Sequence, residues 1–147
     1  MKMLEDIIVS VTETKEPISD ILRRCLVLAH KLKNASFKAW VEMELNGYSA
    51  DASLPDYRFG RGTALGMFVG PFGAEIRNQP LASVILDEEL QHFATDIKLH
   101  EAIAAYEQAD AKVTYHMPWP ADLVAKYQRS FFTGYALASA WMPYPGP

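Results

Sequence analysis

The strongest constraint on the fold is an apolar stripe at helical spacing between residues 18 and 32. Its members recur every three or four positions, so they fall on one side of a helix with 3.6 residues per turn. They are Ile18, Ile21, Leu22, Cys25, Ala29 and Leu32. Because such a stripe is stable only when other elements cover it, we expect this helix to be packed on that side. Pro17 fits its first turn, because proline has no N–H to leave unpaired there.

A second, shorter helix is predicted from Phe37 to Leu45. The side expected to be buried comprises Phe37, Trp40, Val41, Glu44 and Leu45. Asn34 or Ser36 can cap its start by accepting a hydrogen bond from an unpaired N–H group. Asn46 and Gly47 end it, because both tolerate the left-handed backbone that a helix terminus commonly requires. The short connection between the two helices predicts a tight helix-turn-helix pair.

The first half of the chain also predicts a further helix and a small sheet. Apolar residues from Met3 to Val11 form one face of an N-terminal helix. The glycine-containing segment from Tyr57 to Phe72 indicates a strand, a turn and a second strand, which together would form a hairpin. Residues Ala74 to Leu81 add another short strand, which Pro80 would end or place at a sheet edge.

The second half predicts helices, a strand and a proline-rich end. Helices are expected after Asp87, whose side chain would cap the first of them. Alternating residues from Ala111 to Met117 indicate an amphipathic strand. The segment from Phe131 to Trp141 fits either a helix or a strand, because its apolar spacing is near-helical while its first residues favour a strand. Residues 143–147 are predicted to be a Pro-rich tail or the start of an interdomain linker.

Several short segments of the chain carry a family resemblance. They are Leu22-Arg23-Arg24 through Leu28-Ala29, Trp40, Glu44 to Tyr48 and Leu54 to Arg58, with weaker likeness at Gly70-Pro71-Phe72-Gly73, Pro118-Trp119-Pro120 and Gly134-Tyr135. Together these segments resemble the signature of the AbiTii domain of bacterial abortive-infection proteins. The resemblance implies a role in defence against phage, often as one module of a larger protein. It implies no particular activity, and no catalytic residue is carried over from the family.

Length and composition bound the organisation of the chain. With 147 residues, half of them hydrophobic, the chain can bury one continuous core. We therefore predict a single domain over residues 1–142. The one cysteine, Cys25, cannot form an internal disulfide, which indicates a reducing compartment. Acidic residues follow Met1 too closely for a signal peptide or a membrane-spanning helix. The expectation is a cytoplasmic protein without a membrane partner.

Positive charge is concentrated in one segment, although the net charge of the chain is −4. From Ile21 to Val41 there are five Lys and Arg residues and no acidic residue, which leaves −9 for the remainder. Four cationic or titratable side chains lie opposite the buried stripe: Arg23, Arg24, His30 and Lys31. We predict that this basic face contacts a small phosphate-bearing ligand or an acidic protein patch, with a merely solvated face as the alternative. The acidic remainder disfavours general binding to duplex DNA.

One polar constellation would form if the loop after the second helix folds back over it. It comprises Glu44, Asn46, Tyr48, Asp56, Tyr57 and Arg58. In the structural interpretation, Arg58 binds a carboxylate and Asp56 satisfies N–H groups of the loop. In the catalytic interpretation, Glu44 or Asp56 acts as a base and Arg58 as an anion anchor. No metal or cofactor is predicted, because the histidine spacing does not match that of zinc sites.

These observations predict an α+β fold with an N-terminal helical layer packed on a small antiparallel sheet and further helices in the C-terminal half. The favoured function is a non-catalytic defence module that mediates oligomerisation or regulates a fused or associated effector domain. The alternative is a toxin-like enzyme acting on a nucleotide or nucleic acid through Glu44, Asp56 and Arg58. Whether the protein is an enzyme stays open, with the non-catalytic interpretation preferred because no catalytic motif is recognised.

Overall fold

The structure is a computed structural model that describes residues 2–13, 15–108 and 113–145. Within these residues the elements divide between two compact units. The helical unit comprises the described residues of 2–54 and 100–108, and the sheet unit comprises residues 55–99 and 113–145. The predicted α+β class is confirmed. The prediction of a single domain over residues 1–142 stays a prediction.

The described residues contain six α-helices and six β-strands. The helices are α1 (Lys2–Glu13), α2 (Ile18–Lys31), α3 (Ala35–Asn46), α4 (His92–Thr95), α5 (Ile103–Glu107) and α6 (Ala121–Lys126). The strands are β1 (Phe59–Arg61), β2 (Leu65–Val69), β3 (Glu75–Pro80), β4 (Asp96–Lys98), β5 (Thr114–Pro118) and β6 (Ala136–Pro145).

Helix α2 lies at the centre of the helical unit and contacts α1, α3 and α5. Its predicted stripe is buried in the middle, at Ile21, Leu22 and Ala29. The prediction is wrong at both ends, where Ile18 is 54% exposed and Leu32 is 50% exposed. Ile18 is the first residue of α2, and Leu32 follows its last residue. Neighbouring helices therefore do not cover these two side chains.

The start of α2 is capped from a distant part of the chain. Pro17 precedes the helix, as predicted, and offers no side-chain cap. The carboxylate of Glu107 instead accepts the Ser19 N–H at 2.6 Å and the Ser19 hydroxyl at 2.7 Å. A carboxylate at this position satisfies a free N–H group and complements the positive end of the helix dipole. Helix α5 is therefore anchored to the beginning of α2.

The ends of α3 follow the sequence prediction. Of the two predicted capping residues, Asn34 is the one used, since its Oδ1 accepts the Phe37 N–H at 3.0 Å. Gly47 ends the helix at φ 93°, and a Cβ there would lie 3.0 Å from the carbonyl oxygen of His100. Trp40 is 37% exposed, whereas the sequence placed it on the buried side. It stacks on Phe37 at the margin of that side, with 6.1 Å between ring centroids.

The sheet unit contains two antiparallel sheets within its described residues. One has the strand order β3-β2-β6-β5, and the other pairs β1 with β4. The hairpin predicted between Tyr57 and Phe72 is wrong, because β1 and β2 lie in different sheets. The hairpin partner of β2 is β3, which pairs with it from Leu65 opposite Pro80 to Val69 opposite Glu75, with a shift of register between Gly66 and Phe68. Strand β3 is an edge strand that ends at Pro80, as predicted.

An apolar core fills the sheet unit and includes side chains with no exposed surface. Phe68 on β2 and Leu137 on β6 are both 0% exposed. The Phe68 ring meets the rings of Phe131 and Phe132 edge-on, with centroids 5.9 and 5.0 Å away. Trp119 adds to this core and satisfies its indole N–H by donating to the Phe93 carbonyl at 3.0 Å.

The C-terminal segment is a strand from Ala136 onward, so the strand prediction is right for residues 136–141, whereas residues 131–135 form neither a helix nor a strand. Strand β6 extends to Pro145, so residues 143–145 belong to the sheet and not to a tail or linker. Its pairing with β2 ends at Trp141, and beyond that point β6 pairs only with β5. Proline is tolerated there because one side of the strand needs no N–H donors. Residues 146 and 147 lie outside the described residues.

The helices predicted after Asp87 are shorter than expected. A 3-10 turn at Glu88–Leu90 precedes the four-residue α4, and Asp87 makes no side-chain cap. Its carboxylate accepts instead from the Lys126 ammonium at 2.6 Å, which removes it from the helix start. The predicted amphipathic strand is present as β5 from Thr114, while Ala111 and Lys112 lie outside the described residues.

Candidate functional site

Glu44, a candidate base, is buried in the helical unit. Its side chain lies on the inner side of α3 and is 3% exposed. Its Oε1 accepts the Tyr48 hydroxyl at 2.7 Å, and the Tyr48 N–H donates to the His100 carbonyl at 2.7 Å. The pair therefore connects the end of α3 to the segment before α5. The Glu44 carboxylate is therefore enclosed and hydrogen-bonded within the fold.

Arg58, the candidate anion anchor, is buried in the sheet unit. It ends the 3-10 turn Asp56–Arg58 and is 3% exposed. Its Nη1 donates to the Leu99 carbonyl at 2.9 Å, while its own carbonyl accepts the Leu99 N–H at 3.0 Å. The side chain and the main chain of Arg58 are thus both hydrogen-bonded to the main chain of Leu99. This geometry fixes the entry to β1 and does not present the guanidinium to solvent.

Asp56, the third candidate, lies at an open cavity beside the two-stranded sheet. The cavity has a volume of about 390 Å³ and is lined by Asp56, Phe59, Gly60, Arg61 and Asp96. Arg61 and Asp96 are opposite one another in the β1–β4 register. The Asp96 carboxylate also accepts the Thr95 hydroxyl at 3.0 Å. Two carboxylates and a guanidinium therefore surround one open space.

The three members of the predicted polar constellation that lie in the sheet unit do not form one site. Asp56 and Tyr57 are exposed, whereas Arg58 is buried and does not line the cavity that holds Asp56. In the helical unit the structure brings Glu44 and Tyr48 together. Sequence reasoning missed the two cavity residues Arg61 and Asp96, because their proximity depends on the pairing of strands 35 residues apart. No motif in the sequence signals that pairing.

The basic face of α2 carries less unpaired charge than the sequence predicts. Arg23 forms an ion pair with Asp20, and Arg24 forms one with Glu16. Arg24 also donates to the Ser10 hydroxyl at 2.8 Å. Both acidic partners precede the segment in which the sequence shows only positive charge. Arg23 and Arg24 are thus matched by local carboxylates, while His30 and Lys31 are exposed.

A second cluster of cationic side chains lies at the turn between α2 and α3. A cavity of about 220 Å³ there is lined by Ala29, His30, Lys33, Asn34, Ala35 and Lys38. Only His30 belongs to the predicted face. Lys38 lies 3.9 Å from the Glu42 carboxylate, a separation too long for a strong hydrogen bond. In the sequence, Lys33 and Lys38 could be singled out only as members of the positively charged segment from Ile21 to Val41.

Cys25 behaves as a structural thiol. It packs half-buried against the apolar cluster of Ile7, Ile21 and Leu28. Burial raises the pKa of the thiol above its ordinary value, and the nearby Arg24 opposes that rise. Since the thiolate is the reactive form, a raised pKa disfavours a nucleophilic role.

Two classes of site have no counterpart in the part of the chain that the structure describes. Its His, Cys, Asp and Glu side chains form no group of three that could hold a metal ion. Its helices are all too short or too polar to cross a membrane.

Comparison with known proteins gives one result, at the level of the family. Neither a curated protein nor a solved structure matches the chain. The model of the AbiTii family matches residues 2–145, which include every described helix and strand. The resemblance in the short segments named above thus extends over nearly the whole sequence, and the chain belongs to the AbiTii family, as a phage-defence domain of the abortive-infection type.

Proposed function

We propose that this AbiTii domain acts as a non-catalytic interaction module, which mediates oligomerisation or regulates an effector domain. One observation carries the proposal. Glu44 and Arg58, the residues best suited to acid–base chemistry and anion binding, are each 3% exposed and hydrogen-bonded within the fold. Catalytic groups must reach a substrate, so residues enclosed in this way serve the scaffold.

Exposed apolar side chains supply the surfaces that a module of this kind needs. On the helices, Val11 is 63% exposed and Trp40 is 37% exposed. In the sheet unit, Phe72 is 108% exposed. Large apolar and aromatic groups are enriched where proteins meet partners. The partner is a further copy of the chain or an effector segment, and the half-buried thiol of Cys25 fits a cytoplasmic setting.

The enzyme alternative rests on a different observation, the cavity that holds Asp56. There Asp56 or Asp96 would act as the base and Arg61 would bind a phosphate group of a nucleotide or nucleic acid. Arg58 has no part in this version, because it does not line that cavity. The cavity is open and its carboxylates are partly or fully exposed, which supports the alternative less well than a buried site would.

Phage challenge of cells expressing Asp56→Asn separates the two functions. The substitution keeps the size of the side chain and removes its charge and basicity. We expect full protection and an unchanged melting temperature, because the module needs no base at this exposed position. Asp51→Asn, at an exposed residue that does not line the cavity, is the matched control. Lost protection by Asp56→Asn alone, with an unchanged melting temperature, would favour the enzyme.

A small phosphate-bearing ligand remains part of the proposal, now at the cavity between α2 and α3. We expect weak binding of inorganic pyrophosphate that declines as salt rises, since exposed charges are screened over about 8 Å at physiological ionic strength. The double variant Lys33→Gln and Lys38→Gln should weaken the association at least fivefold in a calorimetric or NMR titration. Lys31→Gln, outside the cavity, should leave it unchanged. Tight binding to duplex DNA at about 150 mM salt would contradict this assignment.

A further inference from the structure

The tip of the β2–β3 hairpin presents an aromatic ring to solvent. Phe72 is 108% exposed, the largest fraction among the exposed large hydrophobic residues of the described chain. Its backbone has φ 56° and ψ 33°, in the left-handed region. An aromatic residue is strained there, because its Cβ approaches the following carbonyl oxygen. The exposed ring and the strained backbone therefore coincide at one residue.

Hydrogen bonds and packing hold this tip in a defined conformation. The Gly70 N–H donates to the Ala74 carbonyl at 2.7 Å, and the Ala74 N–H donates to the Pro71 carbonyl at 3.1 Å. At the base of the turn, Gly70 lies so close to Tyr135 that a Cβ would be 2.5 Å from the ring. A rigid turn that holds a strained, exposed aromatic residue is typical of a contact site and not of a loose loop.

A groove in the same unit could receive such a ring. It lies between α6 and β6, has a volume of about 370 Å³, and is lined by no charged side chain. Trp119, Leu137 and Ala140 form its buried floor. Ala125 and Ala138 are exposed and small, which leaves the groove open. The volume falls within the range of roughly 300–1,000 Å³ typical of ligand pockets, enough for a phenyl ring and its neighbouring proline.

We propose that Phe72 of one copy inserts into the α6–β6 groove of a second copy. The inference rests on the proposed function and names both halves of the self-association contact. Both halves belong to this chain, and the groove is mostly apolar and lined by no charged side chain, so inserting the ring buries no charged lining residue. An aromatic anchor in an apolar pocket is the usual centre of a protein interface.

The surroundings of the tip favour a protein partner over a polyanion. Residues 64–76 contain no Lys or Arg. The nearest cation along β3, Arg77, is bonded to the Glu75 carboxylate at 2.8 Å. Nucleic acids and anionic membranes are bound through clusters of cationic residues, which this tip lacks.

Sedimentation of the 147-residue protein tests the anchor. From about 1 to 100 µM, the range expected for an interface below standard size, the wild-type mass should rise above that of a monomer. Phe72→Asn should be monomeric and no less heat-stable than the wild type, because asparagine tolerates the left-handed backbone. The matched control is Val84→Asn, which removes another exposed apolar side chain outside the groove and should associate normally.

Mixing two defective variants tests the pairing of anchor and groove. Ala125→Arg places a long cation at the exposed wall of the groove and suits a helix, so it should also be monomeric. Equal amounts of Phe72→Asn and Ala125→Arg should recover association, because the first retains its groove and the second its anchor. The recovered species should contain two chains and no more.

Each result decides for or against the contact. Failure of the mixture to associate would overturn the pairing of Phe72 with the groove. A wild-type oligomer that persists in Phe72→Asn would overturn this inference and leave the interaction module standing. A wild-type protein that stays monomeric would remove both the inference and homo-oligomerisation. Cosedimentation of the monomer with phosphatidylglycerol vesicles, lost in Phe72→Asn, would assign the ring to a membrane instead.

Discussion

The two units of the protein are stabilised in different ways. In the sheet unit, one apolar cluster includes Phe68 and Leu137, neither of which has exposed surface. The apolar cluster of the helical unit is smaller, with Ile7, Ile21 and Leu28 as its buried members. Three of the four buried polar or charged residues of the described chain, Ser10, Ser19 and Glu44, lie in the helical unit. Glu44, for example, accepts a hydrogen bond from the Tyr48 hydroxyl.

The difference does not extend to the surface, because both units leave large apolar side chains exposed. In the sheet unit, Phe72 and Val84 are 108% and 78% exposed. Ile8 and Val11 on α1 are 54% and 63% exposed. We infer that the sheet unit supplies most of the stability and that the helical unit is the more sensitive to the loss of single polar contacts.

The largest expected effect comes from the core of the sheet unit. Phe68→Ala should lower the free energy of unfolding by about 3–5 kcal/mol, because it leaves a cavity among enclosed side chains. Ile7→Ala should cost less, about 2–3 kcal/mol, since Ile7 is 7% exposed and lies in the smaller cluster. Urea denaturation measures both values. Equal costs would remove the proposed contrast between the units.

The next effect separates two neighbouring residues for which the sequence predicts one structural role. Arg58→Ala should lower the free energy of unfolding by about 2–3 kcal/mol, because it leaves the partly buried Leu99 carbonyl without its guanidinium donor. Asp56→Ala, at an exposed position, should change it by about 0.5 kcal/mol or less. Thermal unfolding of both variants gives the comparison. Unchanged stability in Arg58→Ala, together with lost antiphage protection, would return Arg58 to the candidate active-site residues.

A smaller effect is expected from the polar contact at the start of α2. Glu107→Ala should cost about 1–2 kcal/mol, because it removes the acceptor for the Ser19 N–H and hydroxyl. Gln108→Ala, at the exposed neighbouring residue, serves as the control. Hydrogen exchange at Ser19 should accelerate in the first variant alone. If both variants behave like the wild type, helix α2 does not depend on its distant cap.

The smallest effect is a pH dependence confined to an exposed ion pair of the sheet unit. The hydrogen bond from Lys126 lowers the pKa of Asp87 below its ordinary value of 3.8, with a smaller contribution from Tyr127. A lowered carboxyl pKa stabilises the fold above about pH 4, and this contribution disappears as the pH falls through the folded-state pKa.

At the alkaline end, the hydrogen bond to Asp87 raises the pKa of Lys126 above 10.5. That contribution is present below pH 10.5 and is lost as the pH rises through the folded-state pKa. Asp87→Asn should therefore melt slightly below the wild type at pH 7, and the difference should disappear as the pH falls through the folded-state pKa of Asp87. A difference that persists in acid would mean that Asp87 acts through something other than its charge.

Local patterns predicted the helices of this protein better than its sheets. The caps of α3 follow from Asn34 and Gly47, because a helix end is determined by residues a few positions apart. Strand pairing depends on residues far apart, so the sequence revealed the strand propensity of residues 59–69 without showing that β1 and β2 lie in different sheets. The proline-rich end was misassigned because proline propensity ignores which side of a strand is paired.

For the candidate site, sequence reasoning identified the right residue types and could not assign their exposure. Glu44 and Arg58 are charged side chains that are buried almost completely, against the usual preference of their types. Phe72 is the reverse case, an aromatic residue left outside by the conformation of a turn. Burial follows from the tertiary arrangement, which a single sequence does not reveal.

The contact between Ser19 and Glu107 has a consequence for biosynthesis. The two residues are 88 positions apart, and the whole of β1 to β4 is translated between them. A nascent chain that has emerged only as far as Leu54 contains α1, α2 and α3 but lacks the carboxylate that completes α2. Helices α1 to α3 therefore leave the ribosome before the residue that caps α2, and this cap forms only after residue 107 has been synthesised.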